Sequence, residues 1–296
     1  MKAIVIGGSG FLGSHVADEL SRKGIEVTIF DLVESEFIVN EKQRFIKGGI
    51  QDAELLESAI LGMDFVFIFS SIADIKEAHL NPYRTIEVNV LFLTNVLNIC
   101  VKCNVKRVIY SSSIYVYSNN GSFYKASKQC AEILIETFNE EYGMNYSIIR
   151  YGSLYGPRAN SFNFIKNAIH EALTTGKISR IGDGAEIRDY IHVVDAAVAT
   201  VNQVDNPNSK DYIMITGNQT MRVKDLLEML KEMLRNEINI EYVSGNLEGH
   251  YQITPYFFRP RTAKKVVLSE YHDIGQGLLQ SIHEVYNEIN IDGQDR

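Results

Sequence analysis

Short apolar runs alternate with amphipathic stretches through the first half of the chain. Ile4 to Ile6, Glu26 to Phe30, Arg44 to Lys47, Phe65 to Phe69, Arg107 to Tyr110 and Tyr146 to Arg150 are strand-length runs rich in β-branched and aromatic residues. Between them Leu12, Val16 and Leu20 share one helical face, and Leu55, Leu56, Ala59 and Ile60 share another. Strands separated by helices predict βαβ units and hence an α/β fold with a doubly wound parallel sheet.

After Gly156-Pro157 the pattern changes to isolated helices, at 162–173, 223–234 and 277–289, with short strands between them. This predicts a smaller C-terminal α/β lobe, so that residues 1–156 form the first domain and 157–296 mainly a substrate-binding lobe. The stretch from Ile191 to Val201 again reads as strand then helix, so 188–203 is expected to return to the first domain.

Composition narrows the partners. With 37 acidic against 29 basic residues the formal charge is −8, which repels a phosphate backbone and argues against nucleic acid. Three cysteines, Cys100, Cys103 and Cys130, are too few for a disulfide framework, and a reducing cytoplasm is expected. Cys100 and Cys103 make a CxxC, but they lie on one helical pattern with no second cysteine or histidine pair, and the histidines show no ligand spacing; no metal is expected. The apolar run after Met1-Lys2 is too short for a signal peptide, and the stretch from Phe65 to Ala73 is broken by serines, so no membrane association is expected.

The first strand runs into Gly7-Gly8-Ser9-Gly10-Phe11-Leu12-Gly13, a GxxGxxG that opens a helix. Glycines there allow a tight turn, close backbone approach to a pyrophosphate, and packing of helix on strand, while the helix N-terminus offers N–H donors and positive potential. Asp31 ends the next strand, eighteen residues after Gly13, where a carboxylate can accept both adenosine ribose hydroxyls. That acid repels a 2′-phosphate, and its neighbours Leu32 and Val33 supply no arginine, so the Rossmann-type sheet is expected to bind NAD rather than NADP. Asp52 stands either where it meets the adenine or at the N-cap of the helix that follows.

Farther on, the strand from Arg107 runs into Ser111-Ser112-Ser113-Ile114-Tyr115-Val116-Tyr117, and Tyr124 and Lys128 follow with the spacing of one helical face. An ammonium near a phenol favours phenolate, which can take a hydroxyl proton while the carbon loses hydride; a serine hydroxyl can hold the same oxygen.

These motifs together resemble the extended short-chain dehydrogenase/reductases, specifically the NAD-dependent nucleotide-sugar epimerase/dehydratase family, over nearly the whole chain. The resemblance implies Tyr124 as catalytic base and acid, Lys128 as its partner and a nicotinamide-ribose contact, and Ser113, four before Tyr117, as the hydroxyl-orienting residue. It implies Gly7, Gly10, Phe11, Leu12 and Gly13 as the pyrophosphate loop, Asp31 as the ribose acid, Asp52 with Ile50-Gln51 as the adenine contact, and Asn89 as a stabiliser beside the nicotinamide. Gly182 to Asp195 resembles the family's GDGxxxRDYxxVxD segment, which implies Arg188 as a substrate residue. Arg150 to Arg158 resembles its RYxNxYGPR strand with Ser153 in place of asparagine; Arg259 and Arg261 are further diphosphate candidates, against ordinary surface charge. A homodimer through helices near 85–103 and 124–142 is also implied.

Two departures shape the expected chemistry. Dehydratases of the family carry an Asp-Glu pair directly after the serine or threonine; Ile114 and Tyr115 stand there instead, and the glutamate of the decarboxylases is absent, which disfavours both reactions. The interval from Ser113 to Tyr124 is only eleven residues, about half the family's usual length, so the loop that covers the sugar is missing, which implies an open pocket for a large or unusual sugar, a lid from another segment such as 247–258, or reduced activity. The leading expectation is an NAD-dependent nucleotide-sugar 4-epimerase. An NAD-linked nucleotide-sugar dehydrogenase or keto-sugar reductase with net redox is the alternative, and a non-catalytic NAD-binding regulator is the third reading.

Overall fold

The computed structural model describes residues 1–208, 210–235, 237–245, 249–250, 252, 264–268 and 270–294. The chain runs β1 (Lys2–Ile6), α1 (Phe11–Arg22), β2 (Glu26–Asp31), β3 (Gln43–Lys47), α2 (Ala53–Ile60), β4 (Phe65–Ile68), α3 (Ile75–Leu80) and α4 (Pro82–Ile86). A π-helical segment, Glu87–Phe92, leads into α5 (Leu93–Lys102), then β5 (Arg107–Ser113), a 3₁₀ turn (Ile114–Tyr117), α6 (Ser122–Tyr142), β6 (Tyr146–Tyr151) and β7 (Ser153–Tyr155). The remainder is α7 (Phe164–Thr175), β8 (Lys177–Ile181), β9 (Ile187–His192), α8 (Val193–Val201), β10 (Lys210–Ile215), β11 (Gln219–Arg222), α9 (Val223–Met233), β12 (Asn239–Val243), β13 (Lys264–Lys265) and α10 (Ile274–Gln294).

The large sheet has the order β3-β2-β1-β4-β5-β6-β10-β13, with every neighbouring pair parallel. Both of its faces are buried, and the period of two along a strand divides them. Ile4 and Ile6 enter the cluster under α2, α5 and α6, while Ala3 and Val5 enter the cluster under α1 and α8. The strand order reverses at β1 and β4, which opens a crevice at their carboxyl ends, where this class of fold takes its ligands.

The return to the large sheet differs from the expected 188–203: β9 pairs with β7 and β11 in a small sheet, and the chain rejoins the large body through α8 and β10. Helix α8 packs on α1, β10 pairs with β6, and Ile213 and Ile215 of β10 enter the α1/α8 cluster. Residues 157–296 therefore divide between the two bodies. The lobe has its own core, in which Ile165 and Ile169 of α7, Leu226 and Leu230 of α9, and Leu278 and Ile282 of α10 are buried together. Its small sheets are β11-β9-β7 and β12-β8.

The run Pro82–Lys102 is one continuous helical stretch, with a mean hydropathy of 1.3 in its most apolar window. It is long and apolar enough by composition to cross a membrane, a feature the sequence reading passed over. Its apolar residues Leu93, Val96, Leu97, Ile99 and Cys100 are buried beneath the large sheet.

Candidate functional site

The glycine loop sits at the crevice, and three of its glycines answer different demands. Gly7 has φ +80°, and a Cβ there would stand 2.5 Å from the Ser70 amide nitrogen; a Cβ on Gly13 would stand 2.2 Å from the Gly7 carbonyl oxygen. Both therefore let three backbone segments close on one another. Gly10 is the N-cap of α1 and places no capping side chain over it. A Cβ there would meet only the Gly7 oxygen, at 3.3 Å. The first-turn N–H groups of α1 are thus left to a ligand, with the positive end of the helix dipole behind them.

Asp31 ends β2 beside this loop. Its two carboxylate oxygens accept from the Ser9 amide at 3.0 Å and from the Val33 amide at 3.3 Å, which fixes the acid while leaving further lone pairs. Asp52 is the N-cap of α2, accepting from the Leu55 amide at 3.1 Å, so the capping alternative is realised; Ile50, two residues before it, is buried. An open glycine cradle with free helix-end donors matches the pyrophosphate of an adenine dinucleotide and the fixed acid matches its adenosine ribose hydroxyls, so the residues present fit NAD.

Strand β5 continues to Ser113, three residues beyond the run read from periodicity, and its three serines diverge. The Ser111 carbonyl accepts from the Lys128 ammonium at 2.8 Å. The Ser112 hydroxyl donates at 2.6 Å to Glu132, a buried carboxylate that also receives two hydrogen bonds from Arg150, at 2.9 and 2.7 Å. The Ser113 hydroxyl faces the crevice and caps the 3₁₀ turn by accepting from the Tyr115 amide at 3.3 Å.

On α6, Tyr124 and Lys128 stand on one face, and the Lys128 nitrogen lies 5.8 Å from the centre of the Tyr124 ring. Lys128 is buried, and burial pulls its pKa down to about 7, opposed by the nearby Glu132. Asn89, in the π-helical segment, is buried behind the crevice wall. Its amide oxygen accepts from the Ile72 amide at 2.8 Å, and its nitrogen donates to the Ile72 carbonyl at 3.0 Å and to the Ser127 hydroxyl at 2.9 Å. It thereby ties the loop after β4 to α6, between wall residues Ser71 and Ala73 on one side and Tyr124 and Lys128 on the other, without lining the cavity itself.

A cavity of about 710 Å³ joins these parts. Gly7, Gly10 to Gly13, Ser113, Tyr124 and Lys128 line it from the large domain, with Ser153, Arg188 and Tyr190 from the lobe side. Arg188 is buried, donates to the Ile187 carbonyl at 3.0 Å, and also lines a neighbouring cavity of about 560 Å³ with Gly182, Asp183 and Glu186. Arg259 and Arg261 lie outside the described residues.

Two wall residues escaped the sequence reading. Arg180 lies over the Phe164 ring, 4.7 Å from its centre. His250 accepts or donates at 2.9 Å to the Tyr115 hydroxyl, and its carbonyl accepts from Asn120 at 3.1 Å, so part of the segment expected as a substitute cover does meet the short loop. Neither residue belongs to a motif, and the His250 contact spans 135 positions of sequence.

The family model described as NAD dependent epimerase/dehydratase family matches residues 3–215. UDP-glucose 4-epimerase of Lactobacillus helveticus is 25% identical over 285 residues, covering 84% of this chain and 86% of that one. A dTDP-glucose 4,6-dehydratase of Mycobacterium tuberculosis is 26% identical over 283 residues, covering 86% and 85%. Among solved structures, UDP-N-acetylglucosamine 4-epimerase of Methanobrevibacter ruminantium, in complex with UDP-N-acetylmuramic acid, superposes with a TM-score of 0.85 at 25% identity, covering 97% of this chain and 98% of that one. With a match that spans the glycine loop, both candidate hydroxyls and the whole run from β1 to β10, the chain belongs to the NAD dependent epimerase/dehydratase family, as an enzyme of the extended short-chain dehydrogenase/reductase type with NAD as its cofactor.

Proposed function

We propose that this enzyme is a nucleotide-sugar 4-epimerase. The observation that carries the reading is the meeting of Ser113, Tyr124 and Lys128 with the glycine loop in one cavity, while Ile114 and Tyr115 offer no carboxylate beside them. The cofactor supplies a hydride acceptor when bound; the chain handles the proton and the orientation. Tyr124 takes the C4 hydroxyl proton as hydride leaves C4, and the Ser113 hydroxyl holds the same oxygen. Formation of the Tyr124 phenolate gives the buried Lys128 ammonium a countercharge. The keto-sugar then turns over, hydride returns to its other face, and Tyr124 gives the proton back. Arg188, with its cavity to either side, is the residue we assign to the nucleotide part of the substrate, and Ser153 the one beside the sugar.

The α4–α5 run and α6 pack on one another and expose Tyr83 and Leu91 on the first and Phe123 and Ile133 on the second, and we infer a homodimer through these helices. A monomeric mass at micromolar concentration would contradict it.

The reading is tested by incubating purified protein, without added cofactor, with UDP- and dTDP-sugars and following each by proton NMR. Catalytic appearance of the C4 epimer is expected. If nothing changes until NAD⁺ is added, and NADH then accumulates with a keto-sugar, the enzyme is a dehydrogenase.

A further inference from the structure

Tyr115 occupies the second position after Ser113, where the sequence alone offers no group able to move a proton. The structure changes the chemistry of that phenol. Its ring packs edge-on to Tyr124, with centres 6.1 Å apart, and it lines the same cavity as Ser113 and Tyr124. Its hydroxyl lies 2.9 Å from Nδ1 of His250, which reaches over from the lobe and also lines the cavity. The Asn120 side chain donates to the His250 carbonyl, and the His250 ring packs edge-on to Tyr115 at 6.2 Å, so both partners are held in place.

We propose that Tyr115 and His250 form a second proton-transfer pair, acting on a carbon next to C4 of the sugar while C4 is a ketone. Chemically, a ketone at C4 acidifies the C–H bonds of C3 and C5, which are otherwise inert. Proton transfer from the Tyr115 hydroxyl to His250 Nδ1 leaves a phenolate. The phenolate oxygen takes the α-proton, the C–H electron pair becomes the carbon–carbon double bond of the enolate, and the carbonyl pair moves onto the C4 oxygen. Tyr124 and Ser113, which hold that oxygen, stabilise the charge. Return of a proton from Tyr115 to the carbon and from His250 to Tyr115 restores every group, with no net oxidation. Such a pair gives the enzyme exchange with solvent at a second centre beside C4, with retention of configuration because Tyr115 removes and returns the proton on one face.

His250 must be neutral to accept. Burial and the cationic Arg188 and Arg180 hold its pKa below the ordinary 6.5, with Asp74 opposing, so the accepting form persists into mild acid.

The proposal rests on the epimerase reading for the source of the ketone, and the test removes that dependence by supplying one. The holoenzyme is mixed in D₂O with UDP-4-keto-6-deoxyglucose, and loss of the C3 and C5 proton signals is followed by NMR. C4 epimerisation of UDP-glucose by the same preparation is measured separately, so failure of one reading does not imply failure of the other.

Exchange at one of the two carbons, at least 100-fold above buffer, is expected. Tyr115→Phe should lose it at least 50-fold while retaining the thermal midpoint and bound NAD of the parent. His250→Gln should slow it and remove the acid limb of its pH profile. Full retention of both protons, or exchange unchanged in Tyr115→Phe, would overturn the proposal; a simple brace between the short loop and the lobe predicts those results instead.

Discussion

Lys128 stands one helical turn after Tyr124, with its nitrogen bonded to the Ser111 carbonyl at 2.8 Å and 5.8 Å from the centre of the Tyr124 ring. The position is costly for a lone ammonium and useful to a phenolate. Tyr124→Phe is therefore expected to lose turnover by about 10²–10⁴-fold, the range of a positioned acid–base group, while NAD stays bound. Steady-state rates together with cofactor content after gel filtration check this, and unchanged turnover would remove Tyr124 from its role.

The burial of Lys128 also leaves a mark on stability. Its folded pKa is about 7 against an ordinary value of 10.5, so between those values the unfolded chain binds the extra proton. Stability contributed by this group is absent at and below pH 7 and grows as pH rises toward 10.5. Relative to Lys128→Met, the apoprotein should gain up to about 1.4 kcal/mol per pH unit across that window, read by urea unfolding at several pH values. A pH-independent difference would mean that the ammonium is not desolvated.

Glu132 and Arg150 form a buried, bidentate pair under the serine strand, extended by Ser112 and by a hydrogen bond from Arg150 to Tyr117. Breaking it from one side leaves a buried charge, so Arg150→Met should cost about 3–5 kcal/mol. The double variant Arg150→Met with Glu132→Leu should cost less than Arg150→Met alone. Additive losses in denaturant unfolding would contradict this account of the pair.

The glycines separate structure from binding. Gly13→Ala drives a Cβ against the Gly7 carbonyl and should lower stability by about 1–3 kcal/mol, as overpacking does. Gly10→Ala brings its Cβ to 3.3 Å from the Gly7 carbonyl oxygen, a far milder contact than at Gly13, so its stability should fall less than that of Gly13→Ala while NAD binding weakens at least tenfold. Asp31→Ala should also weaken NAD and narrow the preference over NADP. Calorimetry of both cofactors with thermal midpoints checks all three.

How far the molecule could be read from its sequence depends on how local the signal is. Period-two and helical patterns predict β1 to β6, and the glycine loop, Asp31, Tyr124 and Lys128 stand out by spacing on adjoining elements, whereas Ser113 is set apart from Ser111 and Ser112 only by the family resemblance. The end of β5 was missed because Ser111 to Ser113 are polar residues in a strand buried on both faces. The return of β10 to the large sheet was missed because the chain leaves it for β11 and α9 of the lobe, so no helix packed on the large sheet follows to mark it as one of its strands. Asp52 caps α2 through one carboxylate oxygen, a use that stands beside the adenine contact implied by the resemblance. His250 and the Glu132–Arg150 pair are long-range pairings, fixed by tertiary packing and invisible to any window of sequence.

Hydride that leaves and returns to C4 within one active site can be followed with UDP-glucose deuterated at C4 and no added cofactor. The account predicts that the C4 epimer forms with the deuterium still at C4. Loss of the label to solvent, or its transfer to NADH released into solution with a keto-sugar left behind, would contradict it.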